Sequence, residues 1–85
     1  MKLGYRWCLH DAAYDSLATL RRSQQRKVVA AIREIAAYPF RPSAYRGTDS
    51  EGFEIAVVYV ADCMISYHAD HAVRMVEVRE ITTLP

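Results

Sequence analysis

This sequence of 85 residues has few of the features that mark several protein classes. Its two cysteines, Cys8 and Cys63, are too few for a disulfide scaffold, and we expect reduced thiols because cytosolic disulfides are rare. It has no run of about 18 apolar residues, so no transmembrane helix is expected. The N-terminus lacks the apolar core of a signal peptide. These absences predict a cytoplasmic protein with no membrane partner. The length predicts a single domain, residues 1–85.

Glycine and proline are also scarce. The sequence has three glycines and three prolines, and four of these six residues fall close together, at Pro39, Pro42, Gly47 and Gly52. Residues of these types interrupt regular structure, so we interpret residues 39–52 as an irregular connection that contains a short edge strand at 44–46.

The part of the chain before this connection predicts a strand and two helices. Residues 4–9 alternate along a strand, and apolar residues recur at helical spacing in 11–22 and 24–38. We expect Asp11 and Ser23 to cap the two helices, since short polar side chains accept hydrogen bonds from the free amides of a first turn. Arg21 and Arg22 then end the first helix, where they complement its dipole.

Residues 53–81 predict three strands, because β-branched and aromatic residues dominate them and two short polar breaks divide them. The first strand, 53–60, is apolar on both faces, which is typical of a central strand. In the last strand the apolar positions change from odd to even numbers after Met75, which predicts a β-bulge there. Glu77 and Arg79 then lie opposite Val76 and Val78.

The predicted order is therefore β-α-α-β(3–4), an α+β fold. A helical hairpin packs on one face of a mainly antiparallel sheet, because an apolar sheet face must be covered. The other face stays open, and function is expected there or on the basic second helix.

Charge is distributed unevenly along the chain. Residues 21–46 hold seven basic side chains and one acidic side chain, Glu34, whereas residues 47–85 hold two basic and seven acidic ones. Either an anionic partner binds the basic part, or the two parts pair with each other. The candidates for binding a partner or nucleic acid are Arg22, Arg26, Lys27, Arg33 and Arg46.

The sequence resembles the RelE/ParE superfamily of bacterial toxins from type II toxin–antitoxin systems. The resemblance rests on apolar positions in three segments. The first helix supplies Ala13, Leu17 and Leu20; the second supplies Val28, Ala31, Ile32, Ile35, Ala36 and Pro39; the last strands supply Ile65, Tyr67, Asp70, Val76, Val78 and Ile81.

The resemblance implies a growth-inhibiting toxin, a cognate antitoxin that neutralises it in a hetero-oligomer, and no cofactor. RelE-like members act as mRNA interferases in the ribosome, whereas ParE-like members inhibit DNA gyrase without chemistry of their own. Many of the ribonucleases carry a basic or aromatic tail after the last strand. This chain has Thr82, Thr83, Leu84 and Pro85 there, so both activities and a non-toxic interaction domain stay open.

Metal-independent RNA cleavage requires a base, an acid and a cation near the phosphate. The candidate catalytic residues are Arg79, Glu77, His68, Arg74 and Tyr67. Arg79 suits the phosphate because guanidinium binds phosphate in a bidentate manner, Glu77 suits the base, and His68 suits acid–base transfer. His68, Asp70 and His71 also have the chemistry of metal ligands, but three ligands on one hairpin do not make a complete site, so no metal is expected.

Overall fold

The computed structural model describes residues 4–40, 43 and 45–85. The predicted turn residue Pro42 and Ala44 of the predicted edge strand lie outside these residues. The elements are β1 (Arg6–Leu9), α1 (Asp11–Thr19), α2 (Arg22–Ala37), β2 (Tyr45–Thr48), β3 (Glu54–Val60), β4 (Cys63–Asp70) and β5 (Met75–Thr83).

The five strands form one sheet in the order β1-β5-β4-β3-β2. β1 pairs parallel with β5, and every other neighbouring pair is antiparallel. The predicted α+β architecture is thus confirmed. The prediction that residues 53–60 form the central strand is wrong, because β4 occupies the centre. Phe53, the residue before β3, is 45% exposed, and Tyr59 is 57% exposed, so the face of β3 away from the helices is covered only in part, at Val57.

The core lies between the helical pair and one face of the sheet. Val28 and Ile32 of α2 are completely buried against a layer that includes Ile65 of β4 and Val76 and Val78 of β5. These positions recur at helical spacing in α2 and at two-residue spacing in the strands, which is why sequence periodicity located them.

The hairpin between β3 and β4 has a two-residue turn, Ala61 and Asp62, as the sequence predicted. Both residues have positive φ, 52° and 61°, and Val60 pairs with Cys63. Two consecutive positive φ angles give the turn a twist that matches that of the flanking strands. The other predicted break, at 69–71, lies further along the chain, because β4 continues to Asp70 and the turn spans 71–74.

The predicted bulge near Met75 is also displaced. Ser66 pairs with Glu80 and Tyr67 with Val78, so Arg79 is the extra residue on β5. Val73 lies in the turn rather than in the strand, and this location accounts for the apparent phase change at Met75. The bulge places the adjacent side chains of Arg79 and Glu80 away from the core, and Ile81 returns to it.

Both predicted helix caps are wrong. α1 begins after His10, and α2 begins after Arg21; neither residue caps its helix through its side chain. Asp11 instead lies in the first turn of α1, where a carboxylate still complements the helix dipole. α1 ends at Thr19, so Arg21 and Arg22 lie at the start of α2, the end of a helix that is unfavourable for cations.

Candidate functional site

The face of the sheet away from the helices brings three predicted catalytic residues onto neighbouring strands. Glu77 and Arg79 lie on β5, and His68 on β4 is the cross-strand partner of Glu77. Directly opposed residues on one face of an antiparallel pair have neighbouring side chains. A carboxylate, an imidazole and a guanidinium therefore share what we call the open face.

His10 adds a second imidazole to this group. It follows the last residue of β1, and its Nε2 lies 3.4 Å from Oε1 of Glu77. Both side chains are partly exposed, 44% for His10 and 28% for Glu77, so solvent or a ligand reaches the pair. Protonation of His10 strengthens this contact because it places a positive charge beside the carboxylate.

Cys8 is the cross-strand neighbour of Glu77 on the other side of β5. Burial raises the pKa of the Cys8 thiol, and the negative charge of Glu77 raises that pKa further. The thiolate is the reactive form of cysteine, so Cys8 is a poor nucleophile in this position.

The guanidinium of Arg79 is held from two sides. Its Nη1 donates to Oδ2 of Asp49 at 3.0 Å, and its Cζ lies 5.3 Å from the centre of the Phe53 ring. The side chain is 25% exposed, and Nε is buried with no hydrogen-bond partner among the described residues. The arginine is thus fixed in place but uses few of its five donors.

Asp49 also organises the turn between β2 and β3. Its Oδ1 accepts hydrogen bonds from the backbone amides of Glu51 and Phe53, both at 2.9 Å. Partial burial alone would raise the pKa of the Asp49 carboxyl. The amide hydrogen bonds and the Arg79 charge outweigh it and hold the pKa below the ordinary value of 3.8. Asp49 therefore remains a carboxylate at neutral pH.

His68 has a defined tautomer. Its Nδ1 lies 2.7 Å from the backbone oxygen of Glu54, and since a carbonyl oxygen only accepts, Nδ1 carries the hydrogen. In the neutral ring Nε2 is then the nitrogen that is free to accept a proton. The edge-to-face contact with Phe53, at 5.4 Å between ring centres, restrains the ring further.

The structure separates the other two candidate catalytic residues from this group. Tyr67 is 3% exposed and packs in the core, because its place in β4 points it toward the helices. Arg74 lies in the turn before β5 with a φ of 55°, and its backbone oxygen accepts from the amide of Arg6. Neither residue shares the open face with Arg79 and Glu77 at the centre of the sheet.

Sequence reasoning missed three residues of this surface: His10, Asp49 and Phe53. Two-residue spacing places His10 in line with Cys8, and an Asp three residues before a Gly is a frequent turn pattern for Asp49. These patterns predict local structure only. Which distant residue each side chain meets depends on the order of the strands.

The basic side chains on α2 contrast with the paired charges of the open face. Arg22, Arg26, Lys27 and Arg33 are exposed, and within the part of the chain that the structure describes none of them forms an ion pair. Arg46 on β2 differs, since its Nη1 lies 3.4 Å from Oε1 of Glu54. The described carboxylates of 47–85 therefore do not neutralise α2.

Among residues 4–40, 43 and 45–85, no group of three or more His, Cys, Asp or Glu side chains is arranged to hold a metal ion. His71, one of the imidazoles considered for a metal, has its Nδ1 2.9 Å from the hydroxyl of Tyr5 and stacks on Phe40. No helix within these residues is long and apolar enough to cross a membrane.

No protein-family model and no curated protein sequence matches this chain. Several solved structures, however, are similar to this chain. A chain of the archaeal RelE–RelB complex from Pyrococcus horikoshii is 14% identical, and the match covers 95% of this chain and 96% of that chain with a TM-score of 0.75. The isolated E. coli RelE toxin is 12% identical over 95% and 85% of the two chains, with a TM-score of 0.80.

A chain of the RelBE2 toxin–antitoxin complex from Mycobacterium tuberculosis is 12% identical over 95% and 99% of the two chains, with a TM-score of 0.73. The matches span nearly all of both chains, so the likeness extends to the arrangement of both helices and the sheet. The chain has the RelE fold, as the resemblance in its sequence implied.

Proposed function

We propose that this protein is the toxin of a type II toxin–antitoxin system and that a cognate antitoxin neutralises it. The RelE fold over 95% of the chain supports this proposal, since the similar structures include an isolated RelE toxin and RelE–RelB complexes. The resemblance in both helices and the last strands implies the same function.

The activity that we propose is cleavage of mRNA in the ribosome. The observation that carries it is the group on the open face: Glu77 beside His10 at 3.4 Å, His68 opposite Glu77, and Arg79 on the same strand. RNA cleavage without a metal needs a base, an acid and a cation at the phosphate, and this group supplies one or more of each.

In the proposed reaction Glu77 removes the proton from a ribose 2′-hydroxyl, and O2′ forms a bond to the adjacent phosphorus. The bond from phosphorus to O5′ breaks, and a protonated imidazole of His68 or His10 donates a proton to O5′. The products are a 2′,3′-cyclic phosphate and a 5′-hydroxyl. Arg79 stabilises the negative charge that develops on the phosphate oxygens.

The test is expression from a tightly repressed promoter with mapping of RNA ends in the cells. Wild type is expected to arrest growth and to produce new 5′-hydroxyl ends in mRNA. Glu77→Gln is expected to lower the cleavage rate by about 10²- to 10⁴-fold, the usual contribution of a general base. Glu51→Gln, an exposed substitution in the β2–β3 turn, is the matched control. Growth arrest with intact mRNA would exclude cleavage.

A second candidate is a toxin that inhibits DNA gyrase by binding alone. The observation in its favour is the ion pair between Arg79 and Asp49, which occupies the cation that cleavage requires. A supercoiling assay with purified gyrase separates the two candidates. Loss of supercoiling with intact RNA favours gyrase, and harmless expression at high level favours an interaction domain without toxicity.

We propose that the exposed basic side chains of α2 contact an acidic segment of the antitoxin. They are Arg22, Arg26, Lys27 and Arg33. Arg22, Arg26 and Arg33 are separated by four and seven residues, so they form one line along the helix. Arg46 is a weaker candidate because Glu54 already pairs with it.

A further inference from the structure

The guanidinium of Arg79 has fewer partners than its burial requires. Three quarters of the side chain is shielded from solvent, yet its one hydrogen bond within the described residues is the bond from Nη1 to Asp49. Its Nε is buried without a partner. Donors of a shielded charged group normally all find acceptors, because leaving them unpaired costs free energy.

Asp49 accepts only one hydrogen bond from Arg79 because its carboxylate also binds the backbone of the β2–β3 turn. Oδ1 accepts from the amides of Glu51 and Phe53 and closes the turn. Oδ2 alone faces Arg79, so the pair has one hydrogen bond instead of the two parallel bonds that guanidinium and an oxyanion commonly form. An oxyanion free of the turn would pair with this arginine more completely.

The space beside this ion pair is a groove of about 290 Å³ on the open face. Three hydroxyl-bearing residues line it, Tyr45, Thr48 and Ser66, and each hydroxyl is a hydrogen-bond donor for an anion. Glu80 also lines the groove, and its negative charge opposes an anion there, so Arg79 and the hydroxyls must outweigh that repulsion.

We propose that this groove is a binding subsite for a phosphate oxyanion and that Asp49 occupies it from within. The carboxylate takes the place of one phosphate oxygen, so a phosphate must displace Oδ2 of Asp49 before Arg79 binds it with two hydrogen bonds. Asp49 thereby lowers the affinity of the unliganded toxin for phosphodiesters. The inference rests on the proposed function in one respect, the identity of the phosphate as part of RNA.

Two substitutions separate the charge of Asp49 from its role in the turn. The side-chain oxygen of Asn in Asp49→Asn still accepts the two turn hydrogen bonds, and the shorter hydroxyl in Asp49→Ser does so more weakly. Neither residue carries a negative charge. Thermal unfolding of each variant establishes that it is folded, and two variants keep the test decisive if one of them fails to fold.

Binding is measured by NMR, from the backbone amide signals of the groove residues Thr48, Ser66 and Glu80, during titration with inorganic phosphate and with a 2′-O-methyl RNA trinucleotide that cannot be cleaved. Both variants are expected to bind about fivefold more tightly than wild type, the change that corresponds to removal of one competing ion pair. Arg79→Gln in the Asp49→Asn background is expected to abolish the binding. Tighter binding of the trinucleotide alone identifies an RNA phosphodiester as the ligand, whereas tighter binding of both probes identifies a general phosphate subsite.

Equal or weaker binding by both variants would overturn the proposal, because Asp49 would then position Arg79 rather than compete for it. The cleavage assay distinguishes this result from failure of the proposed function. Tighter binding with no RNA cleavage in cells leaves the subsite in place and removes the ribonuclease. If wild type cleaves RNA in cells but the Asp49 variants bind phosphate no more tightly than wild type, the ribonuclease stands and the subsite is removed.

Discussion

The two faces of the sheet use the same strands for different purposes. On the face that the helices cover, Ile65, Val76 and Val78 are fully buried in an apolar layer. On the open face, charged side chains such as Glu77 and Arg79 lie partly exposed and pair with residues from other elements. Outside the bulge at Arg79, adjacent residues of a strand point to opposite faces, so single substitutions test stability and function separately.

The contrast also concerns charge. Asp49 and Glu54, at the rim of the open face, each pair with an arginine, whereas the cations of α2 have no ion-pair partner within the described ranges. Charges that pair within the protein have less free energy to gain from a partner molecule, and unpaired surface charges attract one. This difference is in keeping with our proposal that chemistry takes place on the open face and that α2 binds a partner.

The largest effect is expected for the covered face. Ile65→Ala should lower the free energy of unfolding by about 2–5 kcal/mol, because it removes a fully buried side chain and leaves a cavity. Its neighbour Ser66, on the open face, is the control: Ser66→Ala should change that free energy by about 0.5 kcal/mol or less. Urea unfolding measures both. Equal losses of unfolding free energy in the two variants would mean that both faces of the sheet contribute equally to stability.

Tyr67 and His68 give a sharper test of function, since they are adjacent and face opposite sides. Tyr67→Phe should retain growth inhibition and cost at most about 1.5 kcal/mol of stability, the usual contribution of one hydrogen bond. His68→Gln should reduce RNA cleavage by about 10²-fold or more. Because it alters the hydrogen bond from His68 to Glu54, it should also cost at most about 1.5 kcal/mol of stability. If Tyr67→Phe abolished toxicity while His68→Gln did not, the hydroxyl of Tyr67 would have to act in the reaction, which its buried position in this structure does not allow.

Acid should weaken the link between the open face and the β2–β3 turn. The pKa of Asp49 is lowered in the folded protein, so its carboxylate adds stability above the unfolded pKa, and protonation removes that stability as pH falls through the folded pKa. The stability difference between wild type and Asp49→Asn should therefore shrink below about pH 4. Thermal unfolding from pH 7 to pH 2.5 checks this, and a constant difference would show that the charge contributes nothing.

The smallest change in stability is expected on α2. The double charge reversal Arg26→Glu with Lys27→Glu should alter the free energy of unfolding by about 0.5 kcal/mol or less, because both side chains are exposed. It should weaken binding of the antitoxin, measured by calorimetry at several salt concentrations. Arg6→Glu, on an exposed residue of β1, is the matched control. Unchanged affinity would show that the basic side chains of α2 are merely solvated.

Periodicity in the sequence predicted much of this architecture. The repeat of Val28, Ile32 and Ile35 located the buried side of α2, and the alternation around Val76 and Val78 placed Glu77 and Arg79 on the open face. Such patterns are local, because the spacing of apolar residues recurs within a single helix or strand. Element type and buried side are therefore accessible from the sequence alone.

The remaining features depend on contacts between distant residues. Asp49 and Arg79 are 30 positions apart, and His10 reaches Glu77 only because β1 pairs with β5. The location of the bulge depends on how β5 pairs with β4, which alternation within β5 does not determine. Helix starts at His10 and Arg21 carry no capping side chain, so no cap pattern marks them.

The bulge in β5 has a consequence for how proteins with this fold diverge. Removing Arg79 would leave Val76, Val78 and Ile81 in regular alternation, with Glu80 opposite Ser66 as before. Loss of one codon there would delete the arginine from the open face and leave every apolar side chain of the strand in its layer. Insertion of one codon would do the opposite. The fold therefore permits descendants to gain or lose, in one genetic step, the arginine that we propose binds phosphate, without passing through a sequence that fails to fold.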